Sequence, residues 1–348
     1  MSKNYIFLLF LIILIAAWVV QGIYLPLSDE GRVKQFRVEP GQGVFGISEQ
    51  LENKKLIRGD LWFNIYYLLT SRKETLKAGN YNLSPAMSIP EIFAKIRKGK
   101  TTPNKITVVE GWTVQDIGQS LERKKRYSAE EFYEVVGYPI TQKSEGMFEL
   151  TSSLEQEYEF LESKPDNMPL EGFLFPDTYY MGEEETSRDL AKKMLGNFEK
   201  KYNNLNTSSE KTVFEIVTMA SLLEKEVKTL KDKKIVSGIL WKRLRNDIPL
   251  QVDATVSYIT GKNTTNVSIN ETKIDSPFNT YKYKGLPKGP ICNPGLESIE
   301  AALNPITTDY WYYLSSPSGD CSECSEGGTY FSKTLRQHKI GKDKYLGN

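Results

Sequence analysis

The sequence has little of what most catalytic chemistries need. Its 348 residues hold one histidine, His338, and three cysteines, Cys292, Cys321 and Cys324. A lone histidine in a polar C-terminal stretch, with no nucleophile motif nearby, makes a Ser-His-Asp hydrolase a poor fit. Three cysteines are too few for a disulfide framework. Cys321-Ser-Glu-Cys324 has metal-ligand and redox spacing, but it stands in a Ser/Gly-rich loop without a second pair or a His cluster. That leaves a local loop disulfide or two idle thiols. There is no phosphate-binding Gly loop. The 45 basic and 44 acidic residues give a net charge of +1, so no electrostatic footprint for nucleic acid is present.

What is there begins with an apolar run. Behind Met1-Ser-Lys-Asn4, residues Tyr5 to Val20 are apolar without interruption, and the run continues through Gln21, Gly22 and Ile23 to Leu27. Such a segment is long enough to span about 30 Å of hydrocarbon. No small-x-small cleavage site follows it, so an uncleaved transmembrane anchor is expected over residues 1–27. Lys3 favours a cytoplasmic N-terminus, and Arg32 and Lys34 on the other flank oppose it. On this reading the protein is a single-pass membrane protein with everything after the anchor outside, and the family resemblance given below makes that membrane the bacterial plasma membrane. The length allows about two further domains with real cores.

Past the anchor a faint internal repeat organises the first half. Phe36-Arg-Val38-Glu-Pro-Gly41, followed by Ile47 and Leu51-Glu52, recurs as Ile106-Thr-Val108-Val-Glu-Gly111, then Ile117 and Leu121-Glu122. Each copy reads as a short strand, a Gly turn and an amphipathic helix. The first continues into a helix over Leu61 to Leu69, an extended Gly79 to Leu83, and a helix from Ser88 to Arg97. A LysM-like strand-helix-helix-strand module is therefore expected over 28–103, a connecting α/β region over 104–208, with a helix at Ala129 to Val136, and a mixed α/β domain over 209–348, to which the resemblance given below assigns the catalytic role. The fold class is α+β.

Three acids lie on the helix expected from Thr212 to Val227. Stepping by about 100° per residue, Val213, Ile216, Val217, Ala220, Leu223 and Val227 share one arc, with Glu224 in its middle. Glu215 and Glu226 fall on the opposite side, where charge is ordinary. A carboxyl set against protein has its pKa raised, as a general acid requires, or it forms half of a buried ion pair. A second helix, Ile235 to Arg245, leads to Pro249-Leu-Gln-Val-Asp253. Pro/Gly turns come next, and then a helix from Ser298 to Leu303 and a strand over Tyr310-Trp-Tyr-Tyr-Leu314.

Several of these segments together resemble one family. Ala220-Ser-Leu-Leu-Glu-Lys-Glu226, Leu250-Gln-Val-Asp253, Ser276-Pro-Phe-Asn-Thr-Tyr281, Gly285-Leu-Pro and Asn293-Pro-Gly295 are similar, in order, to the YceG-like endolytic murein transglycosylases. Leu170-Glu-Gly172 with Phe175-Pro-Asp-Thr178 adds a further block upstream. The resemblance implies lytic cleavage of the β-1,4 bond between N-acetylmuramic acid and N-acetylglucosamine in nascent peptidoglycan strands, leaving 1,6-anhydromuramic ends. It maps the catalytic carboxyl onto Glu224, acting as general acid and then base. It gives Gln251, Asp253, Asn279 and Tyr281 binding or orienting roles. No metal and no cofactor is implied. The partners implied are peptidoglycan glycan strands, the plasma membrane, and peptidoglycan synthases with the elongation or division machinery.

The sequence departs from the family at Thr329, where many relatives carry His, and at Ala254 and Lys288, where Pro is frequent. Two alternatives stay open. One is a non-catalytic peptidoglycan-binding scaffold. The other is a hydrolytic muramidase pairing Glu224 with Asp253 or Asp177, since a hydrolase needs two carboxyls roughly 5–9.5 Å apart.

Overall fold

The computed structural model describes residues 3–28, 31–70, 76–99, 104–140, 154–166, 168–182, 185–205, 209–262, 267–315 and 321–346. They form a mixed α/β fold of two compact units, Met1–Lys105 with Tyr180–Glu184, and Ile106–Tyr179 with Glu185–Asn348. The boundaries expected at 103 and 208 fall on residues outside the described set.

The first unit starts with α1 (Lys3–Tyr24) and continues through β1 (Lys34–Val38), α2 (Val44–Asn53), α3 (Asp60–Thr70), β2 (Gly79–Leu83) and α4 (Ile89–Lys98). The alternation of β1 and β2 fixes their register. Phe36 and Val38 face inward from β1 and pair with Tyr81 and Gly79 of the antiparallel β2. Ile47 and Leu51 of α2, Phe63 of α3 and Ile92, Phe93 and Ile96 of α4 close the core over them. Local chemistry starts α4 where expected: Ser88 and Glu91 form a capping box, Pro90 sits in the first turn, and Gly99 ends the helix in the left-handed region.

The transmembrane expectation is corrected here. Among the described residues no helix is long and apolar enough to cross a membrane, so neither an N-terminal transmembrane helix nor a single-pass membrane location is part of this structure. The last turns of α1 make protein contacts instead. Ile23 is buried in the core of the first unit and Val19 packs against it. Trp18 meets Trp62 of α3 edge-on with ring centroids 4.5 Å apart. Earlier in the run Phe7, Leu9, Ile12 and Ile13 are exposed, so protein covers only its end.

The order of the elements from β1 to α4 recurs further along the chain, with both strands of the second copy crossing the boundary between the units. β3 (Asn104–Thr107), α5 (Val114–Arg123), α6 (Ala129–Val136), β4 (Thr178–Met181) and α7 (Ser187–Asn203) come one after another, and β3 is hydrogen-bonded to β4. The likeness extends to the backbone. Gly41 and Gly111 turn the chain after each first strand with φ of 79° and 77°, and Lys55 and Lys125 close each first helix with φ of 52°. A left-handed residue is costly without glycine, so its recurrence at matched positions marks a shared fold pattern.

Beyond this lie α8 (Val213–Glu226), α9 (Leu230–Arg245), α10 (Asp253–Thr260), α11 (Leu296–Leu303), the antiparallel hairpin β5 (Tyr312–Ser315) and β6 (Thr329–Ser332), and α12 (Leu335–Leu346). α8 runs through the middle, against α9, α10 and α11. Its residues from Ile216 to Leu223 are all buried. Close approach is tightest at Gly238 on α9, where an added Cβ would lie 1.9 Å from the Ile306 carbonyl oxygen. Gly238→Ala is therefore expected to lower stability by about 1–3 kcal/mol, despite the gain of about 1 kcal/mol in helix propensity, as read from the thermal midpoint.

Candidate active site

α8 presents three acids with three different fates. Glu215 is used at the helix start, where its Oε2 accepts from the Thr212 N–H at 2.9 Å and Thr212 Oγ1 accepts from the Glu215 N–H at 3.2 Å. Glu224 and Glu226, two residues apart at the other end, face different partners.

Glu224 Oε2 accepts from Ser298 Oγ at 2.5 Å, from the Gly295 N–H at 3.1 Å and from Lys233 Nζ at 3.4 Å. Gly295 is the N-cap of α11, so this carboxyl sits at the positive end of that helix. The side chains of Lys233 and Glu224 are only 5% and 11% exposed. With three donors on one oxygen and a buried ammonium beside it, Glu224 ties α8 to α9 and α11 as a hydrogen-bond acceptor.

Glu226 is the last residue of α8, and the chain leaves it in extended conformation at Val227. Its Oε2 accepts from the Tyr313 hydroxyl at 3.1 Å, and its carbonyl accepts from Ser315 Oγ at 2.7 Å. Burial pushes its carboxyl up to about 7, with the Asp253 charge adding in the same direction and the bonds from Tyr313 and the Ala254 N–H opposing. Asp253 opens α10 and accepts from the Tyr281 hydroxyl. Burial, then Asp253, raises the Tyr281 phenol.

Gln251 lies just before α10. Its N–H donates to the Thr280 carbonyl at 3.1 Å, and its Oε1 accepts from Arg243 Nη2 at 3.0 Å. Val252 N–H donates to Thr280 Oγ1 at 2.9 Å. Glu226, Asp253, Tyr281, Tyr313, Gln251 and Arg243 are thus linked by direct bonds and mutual electrostatics. Asn279 is different. It is fully buried, its Nδ2 donates to the Thr272 and Ile274 carbonyls at 3.0 and 2.7 Å, and its Oδ1 accepts from the Tyr281 N–H at 3.0 Å. Every polar atom of its amide is used to shape the loop that carries Tyr281.

Comparison with known proteins bears on this arrangement. A sequence profile of the YceG-like family matches residues 36–344. The chain belongs to the YceG-like family. It is similar to an endolytic murein transglycosylase of Bacillus subtilis, 31% identical over 331 residues, covering 92% of this chain and 87% of that protein. A Streptococcus pneumoniae endolytic murein transglycosylase is 31% identical over 325 residues, covering 86% of this chain and 56% of the longer pneumococcal protein. The crystal structure of a yceG-like protein from Listeria monocytogenes superposes with a TM-score of 0.56 at 31% identity, covering 90% of this chain and all of that one.

In this YceG-like chain the remaining expected positions have structural partners. Asp177 Oδ2 accepts from Asn197 Nδ2 at 3.0 Å, and its own Oδ1 accepts from the Thr178 N–H at 2.7 Å, beside β4. Thr329, in place of the frequent His, donates to the buried Asp232 at 3.0 Å. His338 stacks on Tyr312 at 5.3 Å, and burial, then Lys342 and Arg243, lowers its pKa. Cys321 and Cys324 form a disulfide.

Helical phase does not single out Glu226, Arg243 or Tyr313. Phase assumes one buried face, and α8 is enclosed on all sides along its centre, so no single arc marks its interior. The partners of Glu226 come from α10 and β5, far along the chain. The only local signal is the doubled acid in Glu224-Lys225-Glu226.

Proposed function

We propose that this chain is a murein lytic transglycosylase in which Glu226, rather than Glu224, is the general acid and then the base. The observation that carries this reading is the Glu226 carboxyl held near neutrality by burial, within a constellation of Asp253, Tyr281, Tyr313 and Gln251. Family membership, with relatives in B. subtilis and S. pneumoniae named as endolytic murein transglycosylases, supports the substrate.

The bond cleaved is the β-1,4 link from N-acetylmuramic acid to N-acetylglucosamine. Protonated Glu226 gives its proton to the glycosidic oxygen as the C1–O bond breaks. The C6 hydroxyl of the same muramic residue then closes on C1, and its proton passes to the Glu226 carboxylate. One carboxyl thus serves both steps and is regenerated, and the product end is 1,6-anhydromuramic acid. The sugar supplies its own nucleophile, already tethered near C1, which is a large proximity advantage. Asp253 stabilises the positive charge that develops at C1. The strand-helix-helix-strand first unit takes the LysM-like, glycan-binding role in this reading.

The test is incubation of the full-length chain with purified murein, followed by mass spectrometry of the products. Muropeptides lighter by one water than the hydrolysed form are expected. Reducing, hydrated ends would reassign the enzyme as a muramidase using Glu226 with Asp253, and no released product would leave a binding scaffold.

A further inference from the structure

Gln251 has a φ of 54°, in the left-handed region, where an L-residue with a side chain is strained. It is not glycine, so surrounding contacts must hold it there. One is the bond from its own N–H to the Thr280 carbonyl. The other comes from Arg243, in the last turn of α9. Arg243 is 7% exposed, and its planar fork grips two successive residues: Nη1 donates to the Leu250 carbonyl at 3.3 Å and Nη2 to Gln251 Oε1 at 3.0 Å. The guanidinium also lies over the Tyr312 ring, 5.5 Å from its centroid. A lysine presents one point charge and cannot span both acceptors in this fixed geometry.

The segment after Gln251 explains why its conformation matters. The Val252 N–H meets Thr280 Oγ1, α10 begins at Asp253, and α10 packs against α8, its first turn carrying Asp253 and the Ala254 N–H to the side of the Glu226 carboxyl. The backbone angle at Gln251 sets the direction in which this first turn is delivered to Glu226. Relaxation to negative φ would swing Asp253 and the Ala254 N–H away from it.

We infer that Arg243 is a positioning residue for the reaction, acting through Gln251 by holding its left-handed backbone so that the first turn of α10 meets Glu226. The inference rests on the assignment of Glu226 as the acid. It gives position 251 an unusual order of preference. Glycine adopts the left-handed region freely and alanine does not, so Gln251→Gly should be more active than Gln251→Ala, although both lose the side chain.

The experiment uses the full-length chain with murein glycan strands as substrate, and measures kcat, KM and the thermal midpoint of Gln251→Ala, Gln251→Gly, Arg243→Met and the Arg243→Met/Gln251→Gly double variant. Gln251→Ala and Arg243→Met are each expected to lose about tenfold in kcat, with KM within about twofold, the size of one strained residue released. Gln251→Gly should lose several-fold less than Gln251→Ala. In the glycine background, Arg243→Met should cost a further factor of about three or less. Equal losses for alanine and glycine, or a rise in KM in both, would overturn the inference and make Gln251 a substrate contact. An undiminished Arg243→Met loss in the glycine background would also overturn it. Position 251 is exposed, so the alanine and glycine variants decide the matter even if Arg243→Met fails to fold. Failure of the Glu226 assignment itself is seen separately, as retained activity in Glu226→Gln.

Discussion

Glu226→Gln is expected to lower kcat for anhydro-product release by roughly 10²–10⁴, with the thermal midpoint little changed, because the amide keeps the shape but cannot give the proton. Glu224→Gln should behave in the opposite way. The amide oxygen can still accept from Ser298 and Gly295, but the buried Lys233 loses its counter-charge. Breaking one side of a buried pair costs about 3–5 kcal/mol, so the effect should appear as a lower thermal midpoint and a reduced folded fraction. Activity per folded molecule should stay within about tenfold of wild type. Loss of turnover in folded Glu224→Gln with activity kept in Glu226→Gln would return the acid to Glu224.

The pH profile gives the same assignment a second check. Burial raises the Glu226 carboxyl to about 7. Only the protonated form can protonate the leaving oxygen. The rate should therefore hold below about pH 7 and fall about tenfold per unit above it. An alkaline limb that stays in place in a Glu226→Asp variant with residual activity would argue that another group titrates.

Asn293→Ala should be among the most destabilising single changes in the second unit. Asn293 is fully buried. Its Oδ1 accepts from the Gly172 and Leu174 N–H groups at 2.9 and 3.0 Å, and its Nδ2 donates to the Trp112 carbonyl at 2.9 Å and to Glu171 Oε1 at 3.0 Å. Its backbone binds Trp112 and Gly111 as well. One amide thus joins the Gly turn before α5, the Leu170–Leu174 segment and the loop before α11. Alanine would strand buried donors at about 1–3 kcal/mol each, so a loss of at least about 3 kcal/mol is expected. In a unit of this size that is a fall in thermal midpoint of roughly 6–12 °C.

The neighbouring Glu171 adds a pH signature to that measurement. It accepts from the Val114 N–H through both oxygens, at 3.0 Å each, and burial pushes its carboxyl from 4.5 up to about 8, with the Val114 bond opposing. The folded chain therefore holds a proton that the unfolded chain releases. This group's contribution to stability is complete below about pH 4.5 and declines as pH rises towards 8. Glu171→Gln should flatten that part of the stability profile. A profile unchanged by the substitution would mean that Glu171 is ionised at the same pH in both states.

Much of the local structure is legible in the sequence because it is set by local chemistry. The helix at Ala129–Val136 has the expected bounds, fixed by the capping box of Ser128 and Glu131 and by Gly137 after the last turn. α9 begins earlier than the apolar pattern suggests, at Leu230, because Thr229 caps it. The recurrence of a strand, Gly turn and helix is visible in the residues, and the matched left-handed positions repeat it in backbone geometry. The apolar run at the N-terminus reads as long enough to span a membrane, whereas no described helix is long and apolar enough to do so. The apolar arc of α8 singles out Glu224, and the reading proposed above places the acid at Glu226. A one-dimensional pattern does not say what surrounds a helix.

By itself the sequence determined the family motifs, the capped ends of α4 and α6, the repeated module and the poverty of alternative catalytic groups. Only the tertiary structure brings each acid its partners: Ser298, Gly295 and Lys233 at Glu224, and Tyr313 and Asp253 at Glu226. The reason is physical. A carboxyl's proton affinity depends on all charges and donors within a few ångströms. For Glu226 these are Asp253, Ala254 and Tyr313, contributed by α10 and β5. Spacing within α8 carries no information about segments that reach it from so far along the chain.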